Sequence, residues 1–187
     1  MKSRSVICHF SFFIFHSSLS RQWQMKNVAP LLLAIAGLVL TSCGSSHGGA
    51  VAANAAFGFC PVCHMKVKAA DDWTAEIFYK DGTKLMFESP ADMLAFFTEP
   101  KRYDVDDAHK DLSRVDMVSV KDYQSKQKID ARDASFVYDS SVEGPMGPDF
   151  NPFASEELAE TFIAANGGVL VSLGQVTADI VRQVRKP

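Results

Sequence analysis

The sequence lacks an apolar run long enough to cross a bilayer. The stretch from Leu31 to Leu40 is too short, because a spanning helix needs about 20 apolar residues. Cysteine is also scarce, with four among 187 residues. One Cys pair, Cys60 and Cys63, has no second Cys pair or His cluster downstream. A structural zinc site normally uses two separated pairs of ligands, so this scarcity argues against one.

An excess of basic residues is missing as well. Residues 43–187 contain 15 basic and 22 acidic side chains, which gives a formal charge of −7. Binding to nucleic acid depends on clustered Lys and Arg, so no nucleic-acid partner is expected. The chain is 47% hydrophobic and 22% charged, which is typical of a soluble globular protein of one domain or two small ones.

The N-terminal part has the pattern of an exported precursor. Residues 25–42 combine a positive start, a short apolar segment and small residues before Cys43, as in a signal peptide. Leu40-Thr41-Ser42-Cys43 resembles the processing site of bacterial lipoproteins, which predicts a lipid on Cys43 and a location in the cell envelope, facing the periplasm. The alternative is a plain signal peptide followed by an ordinary thiol. Residues 1–24 are interpreted as a misassigned translation start.

The rest of the chain predicts an α+β fold made of two related β-β-α-β units. Residues 43–56 are small and polar and predict a flexible tether. The units are expected at residues 57–120 and 121–187. Asp81-Gly82 predicts a hairpin turn, and Ser89-Pro90 predicts the start of a helix, with Asp92 placed to complete a capping box. Phe87-Glu88-Ser89 and Phe153-Ala154-Ser155 occupy matching places, each a strand end followed by a helix N-cap.

The segment Cys60-Pro61-Val62-Cys63-His64-Met65 carries the chemistry of the sequence, with two thiols, an imidazole and a thioether in six residues. It matches the Cys-x-x-Cys-His pattern of covalent haem attachment, which favours a c-type electron carrier. It also allows a thioredoxin-like redox pair in an exported oxidoreductase. However, the surrounding pattern is rich in strands, unlike a small helical haem protein, and no apolar-periodic helix follows the motif.

A soft monovalent metal is the remaining interpretation. Thiolate and thioether ligands select Cu(I), which tolerates a low coordination number. Met146 lies between two Gly-Pro steps in Gly144-Pro145-Met146-Gly147-Pro148 and is poorly placed for packing. It is therefore a candidate ligand, and the alternative is a loop methionine that covers the core.

Several motifs together resemble the NosL family of copper-binding lipoproteins, which are accessory factors for maturation of nitrous oxide reductase. They run in order across about residues 58 to 173 and comprise Cys60–Met65, Asp81–Phe87, Ser89–Met93, Asp122-Tyr123, Ile129–Ala134, Gly144–Asp149, Pro152–Ala154 and Gly167–Leu170. The resemblance implies a non-enzymatic Cu(I) chaperone with nitrous oxide reductase as the copper recipient.

The resemblance also implies a ligand set. The family's two motifs fall on Cys60, Cys63 and Met65, and on Met146. His64 departs from the family, where glycine is usual, so it is either a further ligand or a turn residue that points at solvent. Other candidates are expected to be structural: Met86, Met93 and Met117 in the core, His109 in a solvated loop, Trp73 packed at a strand start, and Asp149 orienting the Met146 loop.

Overall fold

The computed structural model describes residues 49–104 and 107–186, all within one compact unit that spans residues 44–187. The segments predicted as a misassigned start and a signal peptide, together with Cys43, lie outside the described residues. No described helix is long and apolar enough to cross a membrane.

Twelve strands and four α-helices occur in this part of the chain. The strands are β1 (Val51–Ala52), β2 (Phe57–Phe59), β3 (Lys66–Lys68), β4 (Ala75–Tyr79), β5 (Thr83–Phe87), β6 (Val115–Lys121), β7 (Lys128–Asp130), β8 (Ser135–Tyr138), β9 (Glu143–Gly144), β10 (Gly147–Pro148), β11 (Asn151–Phe153) and β12 (Val169–Ser172). The helices are α1 (Pro90–Thr98), α2 (Pro100–Tyr103), α3 (Glu156–Asn166) and α4 (Ala178–Val184), and short 3-10 turns cover Leu112–Arg114 and Leu173–Gln175.

The α+β class and the internal repeat are both confirmed. One antiparallel sheet has the strand order β1-β5-β4-β6-β7, and another has the order β11-β8-β12. In each sheet the first strand of the repeat, β4 or β8, lies between the second and third strands, and a helix connects those two flanking strands. The two units therefore share one topology as well as one element order.

The edges of the units differ from the expectation. The boundary placed between residues 120 and 121 falls inside β6, and β7 extends the sheet of the first unit. The predicted tether at residues 43–56 is also too long, because Val51 and Ala52 pair with Lys84 and Thr83 of β5. The C-terminal helix α4 has no counterpart in the sequence prediction.

The two matching serines begin α1 and α3. Ser89 Oγ accepts a hydrogen bond from the Asp92 N–H at 3.4 Å, and Ser155 Oγ accepts one from the Leu158 N–H at 3.3 Å. Pro90 occupies the first turn of α1, where its missing N–H costs nothing. The capping-box prediction for Asp92 is wrong, because its carboxylate bonds to other residues described below.

One hydrophobic core extends through both units. It contains Phe87 and Phe96 from the first and Phe136 and Phe150 from the second. Met86 and Met93 are buried, as expected. Met117 is 37% exposed, so its prediction as a core residue is wrong.

Two further side chains have defined surroundings. His109 is not solvated as expected, because its ring packs edge-on to Tyr79 at 4.7 Å and its side chain is largely covered. The packing role predicted for Trp73 is confirmed by its edge contact with Tyr123 at 6.1 Å.

Asp122 joins the first unit to the second. Its Oδ1 accepts hydrogen bonds from the N–H and hydroxyl of Ser125 at 2.6 and 2.7 Å, and its Oδ2 accepts one from the Ala154 N–H at 2.9 Å. Burial alone would raise the pKa of Asp122, but these hydrogen bonds outweigh it and lower the pKa below its usual value. The carboxylate thus fixes the approach to α3.

Candidate metal site

The Cys60–Met65 segment forms the closed tip of the β2–β3 hairpin. Cys60 N–H donates to the Met65 carbonyl and His64 N–H donates to the Cys60 carbonyl, both at 2.9 Å. The hairpin packs on β5 through Gly58, where an added Cβ would lie 3.1 Å from Met86 Sδ. This close approach holds the tip of the hairpin over the strand that leads into α1.

The two thiols contact carboxylates at the start of α1. Cys60 is fully buried, and its Sγ donates a hydrogen bond to Asp92 Oδ2 at 3.2 Å. Cys63 is half-buried, and its Sγ donates to Glu88 Oε2 at 3.5 Å. The turn at Ser89 therefore brings two acidic side chains to the two cysteines.

Cys60, Cys63 and Asp92 form a compact cluster of potential metal ligands. One ligand atom from each lies within 4.8 Å of the others, and both cysteines are free thiols. Hydrogen bonding to Cys60 and burial raise the pKa of the Cys63 thiol, and Asp92 adds to this effect. A metal ion that binds Cys63 must therefore displace the proton of this thiol.

Asp92 has a second partner on the C-terminal helix. Its Oδ1 accepts a hydrogen bond from the guanidinium of Arg185, just beyond the end of α4. Asp92 is nearly fully buried, and a buried carboxylate needs such a counter-charge. One carboxylate thus connects the cysteine hairpin to α4.

Met146 lies at the tip of a second hairpin, formed by β9 and β10. Gly144 pairs with Gly147, so Pro145 and Met146 form the turn between them. Met146 is 57% exposed and lines a cavity of about 440 Å³ together with Asp92 and Arg185. Met146 and Asp92 therefore border the same cavity.

Asp149 supports the base of this second hairpin. Its Oδ1 accepts hydrogen bonds from the N–H groups of Ala91 at 2.8 Å and Phe150 at 2.7 Å. Gly144 lies so close that an added Cβ would come within 2.7 Å of Asp149 Cβ. Burial raises the pKa of Asp149 to about 7, although these hydrogen bonds oppose the shift. The orienting role expected for Asp149 agrees with these contacts.

A comparison with known protein families matches the part of the chain that contains these motifs. The sequence model of the NosL family matches residues 53–181, which include both hairpins and α1. The chain belongs to the NosL family. No curated protein sequence matches it.

Two solved structures of NosL proteins match this chain. The crystal structure of the copper chaperone NosL from Shewanella denitrificans has a TM-score of 0.53 and 25% sequence identity, and the match covers 72% of this chain and 98% of that chain. The solution structure of apo-NosL from Achromobacter cycloclastes has a TM-score of 0.41 and 25% identity, and covers 57% of this chain and 87% of that chain.

The remaining predicted ligands lie at the surface of this NosL protein. Met65 is 47% exposed, beside the cysteines in sequence. His64 is exposed and has a positive φ of 62°, a backbone conformation that favours glycine. A glycine at this position would therefore adopt the turn without strain.

Sequence reasoning missed Asp92, Glu88 and Arg185. Asp92 lies three residues after an N-cap serine. It was therefore interpreted as a capping residue, and nothing in the sequence indicated a role in a metal site. Glu88 separates β5 from α1 and carried no motif of its own. Arg185 lies in a helix that the sequence did not predict, and its contact with Asp92 joins residues 93 positions apart. No local pattern reveals such a contact.

Proposed function

We propose that this NosL protein is a Cu(I) metallochaperone that delivers copper for maturation of nitrous oxide reductase. The cluster of Cys60 and Cys63 carries the proposal, because two adjacent thiols bind Cu(I) well once deprotonated. The related protein from Shewanella denitrificans is described as a copper chaperone, which supports the same cargo here.

The thioether residues complete the proposed binding site. Cys60 and Cys63 supply the thiolates, and Met65, Met146 or His64 supplies a further ligand. Met65 and Met146 are exposed, so an incoming ligand from a recipient has access to them. Copper then leaves by ligand exchange, in which a recipient's ligand adds as a protein ligand dissociates. No bond to substrate is made or broken otherwise, which suits a carrier rather than an enzyme.

The proposal also includes a membrane anchor. Cys43 would carry a lipid and become the first residue of the mature chain, with the folded part facing the periplasm. Intact mass measured on the membrane form tests this: a diacylglyceryl-modified Cys43 is expected. An unmodified Cys43 would show that the anchor is wrong and would leave the copper chemistry to be judged separately.

The experiment for the function measures both binding and delivery. Reduced protein should take one Cu(I) from a chromophoric chelator and pass it to copper-free nitrous oxide reductase, which then gains copper and activity. Met117→Leu is the control variant, because Met117 lies on β6, outside the proposed binding site. It should bind and deliver Cu(I) as the unmodified protein does. Protein that binds Cu(I) but never loads the reductase would contradict the proposed recipient. An intense Soret band after expression with haem maturation machinery would instead favour the c-type electron carrier, and turnover of a disulfide substrate would favour the oxidoreductase.

A further inference from the structure

The Asp92 carboxylate lies between Cys60 and the cavity that contains Met146. Its Oδ2 accepts the hydrogen bond from Cys60 Sγ, and its Oδ1 accepts the one from Arg185. Asp92 and Arg185 both line the cavity, whereas the fully buried Cys60 does not. An atom that enters from the cavity therefore meets the carboxylate before it reaches the Cys60 sulfur.

Arg185 holds this carboxylate from the end of α4. The helix lies beside α1 and is joined to it by two ion pairs, one between Arg185 and Asp92 and one between Arg182 and Glu99 at 3.0 Å. Val181 and Val184 bury the inner side of α4 in the core. The helix is thus fixed independently of either arginine, and each ion pair acts at one end of α1.

We propose that Arg185 is a positioning residue that holds Asp92 over Cys60 and so controls access from the Met146 cavity to the thiol. Without the guanidinium, the buried carboxylate loses its counter-charge, and its free energy falls when it turns toward water in the cavity. That movement breaks the hydrogen bond to Cys60 and opens a route to its sulfur.

The same movement has a consequence for copper. A metal ion shared by Cys60 and the Met146 side of the cavity must pass the carboxylate. Arg185 would therefore slow the loading and release of Cu(I) at Cys60. This second step rests on the proposed function, whereas control of access to the thiol rests on the geometry alone. Both arginines lie beyond the last residue matched by the family model, Val181.

The test compares two reagents of different size on the reduced full chain. The Cys60 thiolate adds to the carbon–carbon double bond of both N-methylmaleimide and N-phenylmaleimide, so the ratio of the two rates cancels the thiolate fraction and reports access alone. Mass spectrometry resolves modification at Cys60 from that at Cys63. In Arg185→Ala, the rate with N-phenylmaleimide relative to that with N-methylmaleimide should rise about tenfold. This is the change expected if one partly screened ion pair determines how often Asp92 moves away from Cys60. Arg185→Lys should restore a ratio near that of the unmodified protein.

Arg182→Ala is the matched control, because it removes the other ion pair between the same two helices. Its ratio should not change. Asp92→Ala removes the side chain that covers the Cys60 thiol, and it should raise the ratio even if Arg185→Ala folds poorly. An unchanged ratio in Arg185→Ala and Asp92→Ala would overturn the inference. An equal rise in Arg182→Ala would overturn it as well, since that indicates general loosening of α4.

A copper measurement separates this inference from the proposed function. Release of Cu(I) from Arg185→Ala to a competing chelator should be about tenfold faster than from the unmodified protein. If the unmodified protein binds no Cu(I) while the maleimide ratio changes as expected, the proposed function fails and the positioning role stands. If copper binds but neither the ratio nor the release rate changes, the positioning role fails alone.

Discussion

Asp149 accepts a hydrogen bond from the backbone N–H of Ala91 at 2.8 Å. This contact joins the base of the Met146 hairpin to the first turn of α1, next to the residue that holds the Cys60 thiol. The two motifs lie more than eighty positions apart in the sequence. This buried carboxyl group therefore helps to fix their relative placement.

The raised pKa of the Asp149 carboxyl group should make the free energy of unfolding depend on pH. Burial raises its folded-state pKa to about 7, from an ordinary value of 3.8. The folded protein therefore binds more protons than the unfolded chain between these values, and stability from this group falls as pH rises from about 4 to about 7. The full loss is roughly 4 kcal/mol for a shift of about three units.

Asp149→Asn should remove most of that pH dependence, because the amide oxygen still accepts the Ala91 N–H but no longer ionises. Urea unfolding at a series of pH values measures the effect. The exposed variant Asp116→Asn serves as the control and should keep the original profile. Parallel pH profiles for the unmodified protein and Asp149→Asn would refute the assignment.

Gly144→Ala should destabilise the Met146 hairpin. The added methyl group would lie 2.7 Å from Asp149 Cβ and 2.8 Å from its Oδ2, and the hydrogen bonds to Asp149 prevent an easy retreat. A loss of about 1–3 kcal/mol in the free energy of unfolding is expected, as for other overpacked sites. Gly174→Ala is the control, because no atom lies within 4 Å of its added Cβ. Equal unfolding midpoints for the two variants would show that the contact is unimportant.

Asp122→Ala should destabilise the junction between the two units. The change removes three hydrogen bonds to one buried carboxylate and leaves the Ala154 N–H without that partner. About 2–4 kcal/mol is expected from the loss of charge-assisted bonds. Because the pKa is lowered in the fold, the contribution of Asp122 is present above about pH 4 and is lost as pH falls.

Thermal unfolding at neutral and acidic pH measures this effect. The exposed variant Asp133→Ala provides the comparison and should stay close to the unmodified protein. The difference between Asp122→Ala and the unmodified protein should shrink at low pH. A difference that stays constant with pH would exclude an ionised Asp122 as its source.

The repeat was predictable because its signals are local. Ser89 and Ser155 are N-caps, and each accepts a hydrogen bond from the N–H group three residues later. Asp81-Gly82 marks the hairpin turn. The cysteine motif was also visible as a short segment. By contrast, Asp92 looked like a capping residue, and its bonds to Cys60 and Arg185 depend on how distant elements pack. The short strand β1 lacked any pattern that separates it from a tether.

Met146→Leu should weaken Cu(I) binding without unfolding the protein. Leucine keeps the apolar volume but removes the thioether, and the exposed position tolerates the change. The affinity should fall about tenfold or more, which corresponds to about 1.4 kcal/mol. Competition with a chromophoric Cu(I) chelator measures it. Met65→Leu tests the other thioether in the same assay, and an affinity equal to that of the unmodified protein in Met146→Leu would exclude Met146 as a ligand.

Cu(I) binding by the paired cysteine variant tests most directly whether Cys60 and Cys63 bind the metal. The reduced full chain and Cys60→Ser/Cys63→Ser are each titrated with Cu(I) in the presence of a chromophoric chelator, after circular dichroism has verified that both are folded. One tightly bound Cu(I) is expected for the unmodified protein, and the double variant should not compete with the chelator. Unchanged Cu(I) binding by the double variant, or none by the unmodified protein, would contradict this assignment.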